Sequence, residues 1–286
     1  MPNAKDIKRG DRFSLLCFGQ TGSGKTTLGL TAPGKKFSYL FDPNAVASLA
    51  GHDVEYEEFL PDYLDLSIVV QHGPFTKKVG EVKAKDSKPR PEPKAGAETY
   101  VRWEEDFYKR ISSGYFNDVG LLVFDSLTTF QNMVLDRVMY IQGKLGQTPD
   151  TDDYIAVVNT VANVFRQATS LGCNIYATGH LDFVQDDLSK QIFWQPVLVG
   201  KLRTRLPLLF SDIWVTGADT DANKRTIYTV QTRPDRTHPL VRCTWPNLEF
   251  KEDVTIDWTQ PIENQGLARL IAKRGSVVQL ASRRQP

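Results

Sequence analysis

Near the N-terminus the run Gly19-Gln20-Thr21-Gly22-Ser23-Gly24-Lys25-Thr26 has residue types and spacing suited to chemistry, the pattern GxxxxGK[ST]. Glycines so spaced let the backbone curl around an anion with its N–H groups turned inward, and a helix opening at Lys25 adds the positive end of its dipole. The Lys25 ammonium then reaches the β and γ phosphates of a nucleoside triphosphate, and the Thr26 hydroxyl can ligate magnesium. ATP and Mg²⁺ are the expected ligands. The expected binding residues are Gly19, Gln20, Thr21, Gly22, Ser23, Gly24, Lys25, Thr26 and Thr27. A carboxylate on a neighbouring strand must complete the metal site. Leu121-Leu122-Val123-Phe124-Asp125 supplies four apolar residues and then an acid, so Asp125 is expected to share the metal with Thr26.

The elements that must position these groups follow from the apolar pattern. Phe13 to Phe18 reads as a strand running into the glycine loop, Lys25 to Leu30 as a helix stopped by Pro33 and Gly34, and Phe37 to Phe41 as a second strand closing on Asp42. A short strand is expected at Leu66 to Val70. From Gln71 to Glu98 lysines and prolines alternate with little to bury, the composition of a surface insertion. Order resumes with a helix at Tyr100 to Ile111 and a strand at Val119 to Phe124. Helices follow around Thr129 to Ile141 and Asp153 to Ser170, the second with Thr151 and Asp152 available as caps. Asn174 to Thr178 is a strand closing on Gly179 and His180. The remainder looks β-rich, with Ile213 to Thr216 and then Thr226 to Gln231 and Leu240 to Thr244 as a hairpin. Strands alternating with helices, each strand closing on a polar residue, imply an α/β fold with a mostly parallel central sheet and its site at the carboxyl ends.

Composition bounds the partners. The chain has 286 residues, 41% hydrophobic and 24% charged, with a formal net charge of +1, so attraction to nucleic acid must come from a local basic patch. Cys17, Cys173 and Cys243 are far apart in sequence and form no CxxC pair, which signals neither a disulfide framework nor a zinc site. MPNAKDIKRGDRF lacks the apolar core of a signal peptide, and no run of about 18 apolar residues occurs. The expectation is a cytoplasmic protein with no membrane partner. Residues 1–11 read as a tail, 12–250 as one core carrying the 71–98 insertion, and 251–286 as a C-terminal extension.

The P-loop (Walker A), the Walker B pair Asp125-Ser126, Thr178-Gly179-His180 and Pro196-Val197-Leu198-Val199-Gly200-Lys201, in that order, resemble the RecA-like branch of P-loop proteins. More narrowly they resemble the phage AAA-type nucleotide-binding proteins, a group that includes ATPases of phage single-strand annealing and recombination. The resemblance covers about Arg12 to Thr216 without the Lys/Pro insertion. It implies a RecA-like ATPase core in which His180 senses the γ-phosphate and relays its presence to a nucleic-acid-binding loop. It also implies that Lys201 and Arg203, matching a KxR pair on a strand of RecA-like rings, reach into a neighbour's nucleotide. On a strand Arg205 would project to the same side. In the family the second strand usually ends Asp-x-Glu, with the Glu positioning the attacking water; this chain reads Asp42-Pro43-Asn44. Asp42 or Glu55 is then left to substitute, and binding is a firmer expectation than turnover.

Leu181 to Gln195 stands where RecA-like proteins carry a DNA-contacting loop. Phe183, Phe193 and Trp194 there could stack on bases, although Asp182, Asp186 and Asp187 would repel phosphate. The leading expectation is an ATP-hydrolysing homo-oligomer, ring or filament, acting on single-stranded DNA in phage recombination or replication. It would work in a bacterial host's cytoplasm, with a single-strand-binding protein as a further partner. Alternatives are a nucleotide-gated assembly protein with little hydrolysis and a hexameric helicase-like motor. A small-molecule kinase would want a substrate pocket and an arginine-bearing lid, and neither is signalled.

Overall fold

The computed structural model describes residues 12–61, 97–145, 147–185, 190 and 192–282. The tail at 1–11, the strand expected at Leu66 to Val70, the Lys/Pro-rich segment up to residue 96 and the acids Asp186 and Asp187 lie outside the described residues.

The strands are β1 (Ser14–Gly19), β2 (Lys36–Leu40), β3 (Glu55–Glu58), β4 (Leu121–Asp125), β5 (Asn174–Gln185), β6 (Ile192–Pro196), β7 (Asp212–Thr220), β8 (Thr226–Gln231) and β9 (Lys251–Asp253). The helices are α1 (Lys25–Leu30), α2 (Glu98–Ser112), α3 (Leu127–Ile141), α4 (Thr151–Ser170), α5 (Leu202–Arg205) and α6 (Gly266–Ser282). The sheet runs β3-β2-β4-β5-β1-β7-β8-β9. It is parallel from β3 to β7, and β8 and β9 extend it antiparallel. This is the expected α/β P-loop architecture.

Central parallel strands are buried on both faces, which is why they read as unbroken apolar runs. Successive side chains alternate between two cores. Leu16, Phe18, Leu122, Phe124, Ile175 and Ala177 enter one core, with Trp103 and Phe107 of α2, Phe130 of α3 and Phe165 of α4. Leu15, Cys17, Leu121, Val123 and Tyr176 enter the other, with Leu28 of α1 and Leu267 and Leu270 of α6. The first core is aromatic: Trp103 is fully buried and meets Phe130 edge-on at 4.6 Å.

Several expectations are corrected. The strand carrying Asp125 is not next to the strand feeding the glycine loop, because β5 lies between them. The cap of α4 is Asp150, one residue before Thr151: its side chain accepts from the amides of Asp152 and Asp153, and the Asp153 carboxylate accepts from the Asp150 amide. β5 does not stop at Thr178; it runs on to Gln185 and pairs antiparallel with β6, so the part of Leu181 to Gln195 that is described is a hairpin rather than a loop. β8 pairs with β7 and β9, while Leu240 to Thr244 contributes only a bridge from Arg242 to Ile213. Lys201 to Arg205 is not a strand: Leu202–Arg205 form one helical turn. Leu202 and Leu206 are both buried, and the turn is closed by the Thr204 and Arg205 amides, which donate to Lys201 O at 3.2 and 3.0 Å. Lys201, Arg203 and Arg205 therefore do not project to one side of a strand.

Candidate functional site: a phosphate loop over a gripped carboxylate

Parallel register brings Gly19, at the end of β1, level with His180 on β5 and Thr216 on β7. Gly19 has no room for a side chain, since a Cβ there would collide with Thr216 and Ser23. Gly24 opens α1 in the left-handed region, at φ 84°, where glycine carries no steric penalty. Between them the Ser23 hydroxyl bonds Gln20 O at 2.7 Å and Thr216 Oγ1 at 2.7 Å. Lys25 donates to Gly19 O at 3.0 Å and Gln20 O at 2.8 Å. The Tyr176 hydroxyl donates to Lys25 O at 2.7 Å. The loop is therefore pinned from β5 and β7, with Gln20, Thr21 and Gly22 at its crest, all three exposed.

Beneath the loop, Thr26 Oγ1 donates to Asp125 Oδ2 at 2.5 Å, and Thr178 donates to Asp125 Oδ1. Burial raises the Asp125 carboxyl above its ordinary range against the lowering effect of those two hydroxyls, and the nearby Asp42 charge adds to the rise. Burial lowers the Lys25 ammonium, which is only 7% exposed. Both groups thus sit where a charge of opposite sign would restore them, the ammonium by phosphate and the carboxylate by a cation.

Asp42 closes the side of the site. One of its oxygens accepts from Ser126 Oγ at 2.9 Å and from Thr129 Oγ1; the other lies 3.5 Å from His180 Nε2. Burial pushes this carboxyl up, but hydrogen bonds from His180, Thr129 and Ser126 outweigh it and hold the acid below its ordinary value. The His180 amide donates to Thr128 Oγ1 at 3.1 Å, which ties the middle of β5 to the start of α3.

Thr21 to Thr27, Asp42, Asn44, Asp125 and His180 line one cavity of about 440 Å³, and Gly19 and Gln20 hold its edge through their carbonyls. Glu55 is elsewhere, paired with Lys35 on β3's side of the sheet at 2.8 Å. Lys201, Arg203 and Arg205 line a separate cavity of about 950 Å³ with Asp182 and Asn132. Arg203 is tied within its own chain, donating to Leu198 O at 2.7 Å and Gln195 Oε1 at 3.1 Å. The polar residues to which sequence reasoning gave no role are Thr178 and Ser126, named there only as motif neighbours, and Thr216, Tyr176 and Thr129. Their one signal was a hydroxyl at the end of an otherwise apolar strand or at the start of the helix after it.

Among the described residues no cluster of three or more His, Cys, Asp or Glu could hold a metal unaided. A magnesium ion, though, is commonly held by one or two carboxylates together with phosphates and water, and the paired Thr26 and Asp125 oxygens fit that role.

An anion loop between a buried strand and a helix, over a strand-end aspartate gripped by the loop's threonine, defines a P-loop nucleotide-binding domain. Residues 12–234 match the family described as AAA domain, and the chain belongs to it. A comparison with curated proteins finds no match. Among solved structures, the Legionella pneumophila ATPase DotB is similar at 10% identity and a TM-score of 0.30 over 78% of this chain. The chain spans 45% of that neighbour's length, and at that score the likeness says nothing further. No helix among the described residues is long and apolar enough to cross a membrane.

Proposed function

We propose that the chain binds and hydrolyses ATP with Mg²⁺ as a RecA-like homo-oligomer acting on single-stranded DNA in phage recombination or replication. The observation that carries the nucleotide reading is Asp125, a buried carboxylate gripped by the phosphate loop's own Thr26 and by Thr178. Thr26 and Asp125 would hold Mg²⁺, which when bound neutralises charge on the phosphate oxygens. Lys25 exchanges the Gly19 and Gln20 carbonyls for phosphate oxygens. Asp42, kept ionised by its hydrogen bonds, orients the attacking water. Its lowered pKa makes it a weak proton acceptor, which suits a phosphoryl transfer that depends on positioning and charge stabilisation. His180, bonded to Asp42 and standing where β5 leaves the sheet, links that water to the hairpin.

The hairpin supports the DNA reading. Phe183 is 61% exposed, and its ring meets Trp194 at 6.0 Å, an aromatic pair on the face of the hairpin opposite Asp182 and Gln195, which border the cavity that Lys201, Arg203 and Arg205 line. Of that trio Lys201 and Arg205 are exposed and take the role of reaching a neighbour's nucleotide, while Arg203 fixes the connection after β6.

A second reading, nucleotide-gated assembly without turnover, draws on Asn44, which lines the cavity where the family places Glu, and on the hydrogen bonds already committed at Asp42. Phosphate release from Mg·ATP with and without single-stranded DNA separates the two. DNA-stimulated release supports the first; binding without release supports the second; absence of any nucleotide binding refutes both. If hydrolysis depends on protein concentration and Arg205→Ala abolishes that dependence while sparing ATP affinity, the trans role stands. Unaltered hydrolysis in that variant removes it.

A further inference from the structure

The phosphate cavity has a second end. Beyond the loop its wall is built by Tyr228 of β8 and by Val254, Ile256 and Trp258 of the segment after β9. The family match stops at residue 234, so three of these four residues lie outside it. Trp258 is 66% exposed, its indole meeting the His52 ring at 5.7 Å.

The turn that presents this indole is fixed. Gln265 accepts from the Asp257 amide at 2.7 Å and donates to Asp257 O at 3.0 Å and Pro261 O at 3.1 Å. The Asp257 carboxylate accepts from the Thr259 amide at 2.9 Å and the Thr259 hydroxyl at 2.6 Å. The same segment is anchored to the phosphate-loop helix, since the Leu267 amide donates to Thr31 Oγ1 at 2.7 Å, and Thr31 caps the last turn of α1. Tyr228 in turn packs on the loop itself: a Cβ on Gly24 would lie 3.1 Å from its ring. An exposed aromatic ring on a rigid turn, set across a cavity from phosphate-binding amides, is pre-organised for a flat heterocycle.

The polar groups near this end do not discriminate. Lys25, Asp42, Asp125 and His180, which line the cavity, are the phosphate-end groups described above. Asn44 and Ser48 also line the cavity, an amide and a hydroxyl, each able to donate or accept. They can meet a 6-amino or a 6-oxo purine equally.

We propose that Trp258, with Tyr228, Val254 and Ile256, is the nucleobase platform of the phosphate-loop site, and that it takes purine bases by stacking with little choice between adenine and guanine. This rests on the nucleotide reading above. It makes the segment after β9 part of the ligand site.

Calorimetric titration of the full chain with Mg·ATP, Mg·GTP and inorganic tripolyphosphate tests it. Trp258→Ala should weaken ATP and GTP about ten-fold, the usual size for removing a base–aromatic stack. It should leave tripolyphosphate affinity unchanged, and Trp258→Phe should recover most of the loss. Wild-type affinities for the two nucleotides should differ by less than about 10²-fold, the limit for pockets that do not read polar edges. Equal ATP affinity in wild type and Trp258→Ala overturns the platform, as does an equal loss for tripolyphosphate. A change confined to self-association in Trp258→Ala, with nucleotide affinity intact, makes the indole a subunit contact and overturns it too. A wild-type protein that binds tripolyphosphate as tightly as ATP overturns this proposal alone, whereas one that binds none of the three ligands refutes the nucleotide reading itself.

Discussion

The two halves of β5 are one strand in two environments. From Asn174 to Gly179 it lies between β4 and β1 in a parallel sheet; there Ile175, Tyr176, Ala177 and Thr178 are buried, and Thr178 hands its hydroxyl to Asp125. From Leu181 onward it pairs with β6 alone, and Phe183 and, across the hairpin, Ile192 face solvent at 61% and 55% exposure. The buried half holds groups in fixed positions with protonation shifted by desolvation; the exposed half offers aromatic surface to solvent. A charge in the first half is governed by what the fold surrounds it with, and a ring in the second by what docks on it. His180 stands where one becomes the other, with its amide on Thr128 and its ring on Asp42.

The largest expected effect lies wholly in the buried half's neighbourhood. Lys25→Ala removes the only lysine among the described residues that line the phosphate cavity, and truncating one side of a buried charge contact costs about 2–5 kcal/mol. Mg·ATP affinity should fall by that amount in calorimetry while the melting temperature without nucleotide stays near that of the wild type. Unchanged ATP affinity would remove the assigned site. Next in size is the link between the halves. If His180 relays nucleotide state to the hairpin, saturating single-stranded DNA tightens ATP binding in the wild type by the usual coupling of about 1–3 kcal/mol, and ATP tightens DNA binding equally. His180→Ala should erase this reciprocity in paired titrations. Coupling of the same size in the variant would show that the strand end carries no signal.

How much of this could be read from the chain itself follows the same division. The phosphate loop was legible because its function is written in backbone spacing, glycines and one lysine within eight consecutive residues. Asp125 was legible as a strand end, but the intervening β5 was not, since strand order depends on pairings between distant segments. The hydroxyls that grip the site were invisible for the same reason: Thr216 meets Ser23 across 193 residues of sequence and Thr178 meets Asp125 across 53. At Lys201 to Arg205 the alternation of charge suggested a strand, and the buried pair Leu202 and Leu206 could not correct it, because residues four apart share one face of a strand and of a helix alike. The exposed half of β5 was read as a loop from the place it takes in the RecA-like resemblance, and its pairing with β6 depends on this chain's own hairpin.

The smallest expected effect sharpens the comparison most, because it sets stability against function at one atom group. Asp125 is a carboxyl whose proton affinity is raised by burial, so between its unfolded and folded pKa values the native chain holds more protons than the unfolded one. Stability then falls as pH rises through that window, by about 1.4 kcal/mol for each pH unit the window spans. Asp125→Asn has no proton to lose, and its amide can still accept from one threonine hydroxyl and donate to the other. The variant should therefore melt above the wild type at pH 8, by roughly 2–4 °C per kcal/mol for a chain this long. The difference should shrink as pH is lowered toward the ordinary carboxylate range, where the wild-type acid is protonated in both states. Mg²⁺-dependent ATP hydrolysis should be lost at every pH. An exposed acid outside the site, such as Asp219 at the Lys251 contact, should show no such stabilisation on the same change. If Asp125→Asn melts below the wild type across the whole pH range, the buried charge is compensated by its partners, and the contrast between a desolvated site and a solvated hairpin does not hold at Asp125.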